Sequence, residues 1–358
     1  MKLDRRHFLA TVGLVIAACG MPLPRDERRG ESGAGPGEGP GEAPVGERLD
    51  RLFEAHAQVL PERAGAGANH DPMAAEVLEE LGHEEAIPEA WSARAKSYAG
   101  ELPRVAPIEG AIAEAVVATS LGRAERYGDW LDRFRAKLAT KPWRSVIAAW
   151  APRLAPGLVG ATFHGLLRTA HAARALRRRD SEVRRGELAA GLAYWAASYT
   201  ELAVDPRRQG ETQRPSRAFV AIAHSGTDAA AELEALVREA AGAFLEMLVM
   251  QRQRLWLLHT VTGPAAVELL LPEVDAAGAR LLVEHARQAT VALFAAFGAP
   301  WVEGASLRAA PGEWSVPIEQ AVASRSVHTL KLIEALARFD RGGDPLHRSV
   351  AAQWLEWK

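Results

Sequence analysis

Four histidines and one lysine stand in otherwise apolar or small-residue surroundings: His70, His164, His259, His328 and Lys331. A neutral imidazole in an oily stretch must find a partner for each ring nitrogen, and its unprotonated nitrogen is a good donor to a metal ion. Taken together, the five residues suggest a buried metal site. They are scattered between positions 70 and 331, so only the fold can gather them. The plainer partner for each imidazole is a backbone carbonyl, and residue by residue the sequence leaves both readings open.

The local settings differ. In Asn69-His70-Asp71-Pro72-Met73-Ala74 a helix start is expected, with Asn69 as cap, Pro72 in the first turn, and Asp71 and Glu76 complementing the helix dipole. A single helix over 157–178 would carry His164, Arg168 and His171 at i, i+4 and i+7, on one face. Gly157, Gly160 and Gly165 within it each cost roughly 1 kcal/mol relative to alanine, which argues for close approach of another backbone or a ligand. His259 falls at the end of the longest expected helix, where the C-terminal dipole would favour a cationic ring, and Thr262 could cap the next helix. His328 and Lys331 lie at i and i+3 among Val327, Leu330 and Ile333. A buried ammonium tends to lose its proton, and a neutral amine can take up carbon dioxide as a carbamate, an anionic oxygen ligand. The competing reading is a lysine that snorkels to solvent along its own stem.

The elements that must position these residues are helices. Ala, Leu, Arg and Glu dominate, apolar residues recur at spacings of three and four, and strand-like alternation is nearly absent. The fold class is therefore all-α. Helices are expected near 48–58, 70–82, 88–98, 107–120, 122–138, 143–150, 157–178, 183–203, 226–258, 262–271, 275–297, 315–338 and 345–356. The main breaks, 205–216 and 298–314, could border a substrate entrance, and Trp91, Trp195, Trp256, Trp301 and Trp314 are candidate wall residues, although a tryptophan in a helix is usually core.

Residues 1–18 read as an export signal: Arg5-Arg6 precede an apolar run too short to span a bilayer, as in twin-arginine leaders, which serve proteins exported folded. Ile16-Ala17-Ala18-Cys19 resembles a lipoprotein cleavage box, so the only cysteine would be the lipidated first residue and the sole membrane contact. Residues 19–46, rich in Gly, Pro, Glu and Arg, cannot bury enough apolar surface to offset ordering, and should be a disordered tether with a reach of roughly 30 Å. Residues 47–358 form one large domain, with no disulfide available to it. The formal net charge of −2 becomes two charges more negative once the leader is removed, which argues against nucleic acid as a partner.

At Asn69 to Ala74, Pro156 to His171, Trp256 to Thr262 and His328 to Ala335 the chain resembles the questin oxidase family, whose fungal members open the ring of anthraquinones. The likeness runs over roughly residues 50–356. It implies an all-α non-haem iron oxygenase that uses dioxygen on a small hydrophobic aromatic substrate, with Fe(II) held by four histidines and a carboxylated lysine. Carried over by position, the ligands are His70, His164, His259, His328 and Lys331. The family pattern has a second histidine where Arg168 stands here, and an often aromatic position where His171 stands. Both departures are expected to face the pocket and to bear on the substrate. No GxGxxG segment follows a strand, so NADPH or flavin binding has no motif behind it. Two other classes stay in view. His70-Asp71 is reminiscent of HD-type metal phosphohydrolases, for which His56 would be the upstream histidine, and a lipid-anchored binding protein could keep the fold without catalysis.

Overall fold

The computed structural model describes residues 47–63, 67–108, 114–202, 228–248, 257–297, 312–343 and 345–356. The expected leader (1–18), Cys19 and the tether (19–46) lie outside them, as do Trp256, Trp301, the break at 205–216 and nearly all of that at 298–314. Among the described residues the protein is all-α, with one two-residue hairpin.

The helices are α1 (Glu47–His56), α2 (Asp71–Glu80), α3 (Glu89–Arg94), α4 (Glu114–Ser120), α5 (Tyr127–Thr140), α6 (Trp143–Leu154), α7 (His164–Arg178) and α8 (Glu182–Ala197). After them come α9 (Ala229–Leu248), α10 (His259–Glu268), α11 (Ala276–Phe297), α12 (Ser315–Ser324), α13 (Val327–Phe339) and α14 (Pro345–Glu356). Strands β1 (Glu62–Arg63) and β2 (Gly67–Ala68) pair antiparallel, Glu62 opposite Ala68, and deliver the chain to the start of α2. No described helix is long and apolar enough to cross a membrane.

One apolar core runs through this bundle, from Leu49 and Phe53 on α1 to Val350 and Trp354 on α14. Helices α7 and α8 form a tight antiparallel pair at its centre. Gly165 of α7 lies against the backbone of Trp195, and a Cβ there would be 2.4 Å from the Trp195 Cα. Gly191 of α8 lies against Thr169, where a Cβ would be 2.7 Å from the backbone nitrogen. The glycines that weaken these helices locally let the two axes approach closely.

Three expected helices divide differently. The helix expected over 157–178 begins only at His164, because Ala161, Thr162 and Phe163 take left-handed backbone angles. His259 does not close a long helix but opens α10, with Thr262 inside it rather than capping it. The stretch 315–338 is two helices: Arg325, at φ 51°, ends α12, and the Ser326 side chain accepts from Thr329 N to start α13. Each break falls just before a histidine of interest, so helix starts rather than helix interiors present His164, His259 and His328.

Candidate metal centre

The four histidines meet. The His70 ring centroid is 4.7 Å from that of His164, 4.3 Å from that of His328 and 6.3 Å from that of His259. His259 lies 4.6 Å from His164 and 5.8 Å from His328. Lys331 joins them, its Nζ donating to His70 Nδ1 across 2.8 Å. Each ring comes from the start of a different helix, with His70 at the cap of α2, His164 and His259 first in α7 and α10, and His328 second in α13. His164, His259 and Lys331 are buried, whereas His70 and His328 keep part of their surface in solvent, although the His70 ring itself is packed among the others.

Neighbouring contacts fix His70. Asn69 does not cap α2; its Nδ2 donates to His56 Nδ1 at 2.7 Å, while His56 Nε2–H donates to the Trp91 carbonyl at 3.0 Å. Asp71 is gripped by Arg94 through two nitrogens, with Nε at 2.8 Å from Oδ2. Adjacent His70 and Asp71 thus turn to different partners, His70 to Lys331 and Asp71 to Arg94, with His56 Nε2 4.0 Å from Asp71 Oδ2. On α13, Thr329 accepts from Trp354 Nε1 at 3.0 Å and holds the helix that carries Lys331.

Burial comes first among the influences on these groups. Burial, and then the nearby Lys331 amine, bring His164 down to about 3 and push His70 well below the ordinary imidazole value. Burial lowers Lys331 to about 7, against a weak opposing pull from Asp71. At neutral pH both rings are therefore neutral, with a lone pair on one nitrogen each. His164 Nδ1–H donates to the Ala161 carbonyl. That leaves Nε2 as the lone-pair nitrogen, buried and without a hydrogen-bond partner among the described residues. A histidine whose second nitrogen is held by a carbonyl is the usual form of a metal ligand. The donor types fit Fe(II) or a similar ion, since imidazole suits iron, zinc, copper and nickel. Among the described residues, however, no group of three or more His, Cys, Asp or Glu side chains is already posed to hold a metal ion. The rings are gathered in contact, and the lysine is occupied with one of them.

Below the rings runs a buried ladder of charge that the sequence did not reveal. Arg174 on α7 forks onto Glu76 of α2 through Nε and Nη2, both at 2.7 Å, and reaches Glu334 of α13 through Nη1 at 2.5 Å. Arg338 continues from Glu334, at 2.8 Å, to the Ala265 carbonyl at 3.0 Å and to Glu268, both on α10. These are the four helices that carry the histidines. Arg174 and the His171 bond together hold the Glu76 carboxyl at about 2, against burial, and Arg174 with Arg338 holds Glu334 far below the carboxylate range, also against burial. The available signal was a glutamate inside an apolar run, as at Glu76 between Ala75 and Val77 and at Glu334 between Ile333 and Ala335.

Arg168 and His171, expected to face a pocket, have buried carboxylate partners instead. Arg168 forks onto Glu187 of α8 at 2.6 and 2.8 Å, and His171 Nδ1–H donates to Glu76 at 2.6 Å. Trp91 and Trp195 are core residues rather than wall residues, and Trp314 is tied to Asp340 at 2.7 Å. Compared with protein-family models and with curated proteins, the chain matches none.

Proposed function

We propose that this protein is a non-haem iron oxygenase acting on a small hydrophobic aromatic or quinone-like substrate, as the resemblance to the questin oxidase family implies. One observation carries the reading: four imidazoles from four helices meet, His70 among them lies on a buried amine, and His164 presents a buried lone pair with its other nitrogen already held. His70, His164, His259 and His328 would hold the metal through neutral nitrogens. Lys331 would add the anionic ligand: its uncharged amine bonds to the carbon of carbon dioxide and gives up a proton, which converts a nitrogen donor into an oxygen donor. Fe(II), when bound, supplies the electrons that let dioxygen react with a closed-shell organic substrate. The chain's own part is to keep His70 and His164 neutral by burial, to fix the tautomer of His164 and to admit substrate beside His70 and His328, the less buried of the four. With no dinucleotide motif, a reduced substrate such as a quinol is the natural electron source. Export already folded and lipid-anchored at Cys19, on the outer face of a bacterial membrane, suits a metal loaded before transport.

The test is anaerobic loading with Fe(II), then oxygen uptake over a panel of hydrophobic quinols. Stoichiometric iron with uptake on at least one quinol, lost in His259→Ala, is expected; bound iron with no uptake on any quinol overturns the oxygenase reading. The second reading is a metal-free, lipid-anchored binding protein. It is favoured by the absence, among the described residues, of side chains already posed around a cation. Purification without metal, combined with failure to take up Fe(II), would select it.

A further inference from the structure

The backbone just before His164 is strained. Ala161 (φ 47°, ψ 33°), Thr162 (φ 54°, ψ 52°) and Phe163 (φ 67°, ψ 0°) form a left-handed turn of three consecutive non-glycine residues. L-residues visit this region singly and at a cost, so three in succession persist only where surrounding packing enforces them. Two contacts do so here. Gly160 is pressed against the end of α8, where a Cβ would fall 1.7 Å from the Ser198 carbonyl oxygen. At the other end of the turn the Phe163 ring, fully buried, lies on Gly263 of α10, where a Cβ would be 2.6 Å from the ring. Gly263 is one helical turn beyond His259. The same turn aims the Ala161 carbonyl at His164 Nδ1.

We propose that Phe163 is a positioning residue. Clamped on Gly263, it holds the left-handed turn whose Ala161 carbonyl fixes His164 in the Nδ1–H tautomer, so that the Nε2 lone pair is presented beside His259. The tautomer is a property of the metal-free chain, although its use rests on the reading of the cluster as a metal centre. A right-handed continuation of the helix through these residues would make Nδ1 of His164 compete with the backbone ladder and would leave the tautomer unset.

The test is long-range 1H–15N correlation on the metal-free full chain labelled with 15N-histidine at neutral pH, with the His164 signals assigned by their loss in His164→Gln. The wild-type ring is expected as the Nδ1–H tautomer. Gly263→Ala, whose added methyl displaces Phe163, is expected to give a mixture with the Nε2–H form, and Gly263→Ala/Phe163→Leu is expected to restore the single tautomer. A merely structural Phe163 would change the melting temperature without changing the tautomer. If Gly263→Ala fails to fold, Phe163→Leu alone should give the mixture. An Nε2–H wild-type ring, or variants with unaltered tautomer, overturns the proposal. A Co(II) titration of the same samples separates the two ideas. Wild type should bind one equivalent, and Gly263→Ala should bind at least tenfold more weakly with an altered visible spectrum. The correct tautomer without Co(II) binding would overturn the metal reading and leave the positioning role standing.

Discussion

Replacing Arg174 by methionine removes the hub of the buried ladder while keeping most of the side-chain volume. The Arg174 side chain is 7% exposed, and its partners Glu76 and Glu334 are 0% and 4% exposed. Without it, Glu76 keeps only His171 as a donor and Glu334 keeps only Arg338. Removing one partner of a buried ion pair leaves an uncompensated charge and costs about 3–5 kcal/mol. A second route gives a similar size: a Glu76 carboxyl held at about 2 rather than 4.5 corresponds to about 3 kcal/mol of native stability at neutral pH, most of it due to Arg174. For a domain of this size that lowers the melting temperature by about 6–15 °C. Urea denaturation followed by circular dichroism at pH 7 measures the loss. The triple variant Arg174→Met/Glu76→Gln/Glu334→Gln, which removes the stranded charges as well, should recover at least half of it. A loss below about 1 kcal/mol for Arg174→Met, or a triple variant no better than the single one, would refute the reasoning that the ladder is a compensated charge system.

Acid should undo the same ladder. Glu76 and Glu334 are held below the ordinary carboxylate value in the folded chain, so their stabilisation is complete above about pH 4.5 and is lost as the pH falls toward 2. Urea midpoints should therefore fall between pH 5 and pH 3, and a flat profile would contradict this. Lys331→Met should stabilise the metal-free protein by about 1–4 kcal/mol, because an amine that burial brings down to about 7 is replaced by an apolar chain, while metal uptake is lost; a lower melting temperature in the metal-free variant would count against a strained buried amine. Gly191→Ala should destabilise by about 1–3 kcal/mol despite alanine's better helix propensity, since its Cβ meets the backbone of Thr169 on α7. Thermal melting that shows a gain instead would mean that the α7–α8 contact has slack.

Helices α6, α11 and α14 were legible because each buries one stripe and a 3.6-residue period survives in the sequence, so they fall close to where apolar spacing puts them; α8, buried on every side from Glu187 to Ala197, ends six residues before the expected 203. The five residues of the cluster were legible as polar groups in apolar runs. Their meeting was expected from the family resemblance rather than from spacing, since ring contacts such as His70 with His328 depend on how distant helices pack. The left-handed turn was hidden because Ala161, Thr162 and Phe163 carry no glycine or asparagine to announce it; packing against Ser198 and Gly263 overrides local preference. Arg168 and His171 were expected to face a pocket because the family resemblance puts their positions there; helical spacing gives only a shared face and not what covers it. Glu187 and Glu76, on α8 and α2, cover it here.

The central claim is that the four rings and Lys331 hold one iron. A crystal of the full chain loaded anaerobically with Fe(II) in the presence of bicarbonate, with diffraction recorded on both sides of the iron absorption edge, tests it most directly. A single anomalous peak bonded to His70, His164, His259 and His328 is expected, with extra density extending Lys331 Nζ into a carbamate. An iron-free cluster in which Lys331 still donates an unmodified amine to His70 would contradict it.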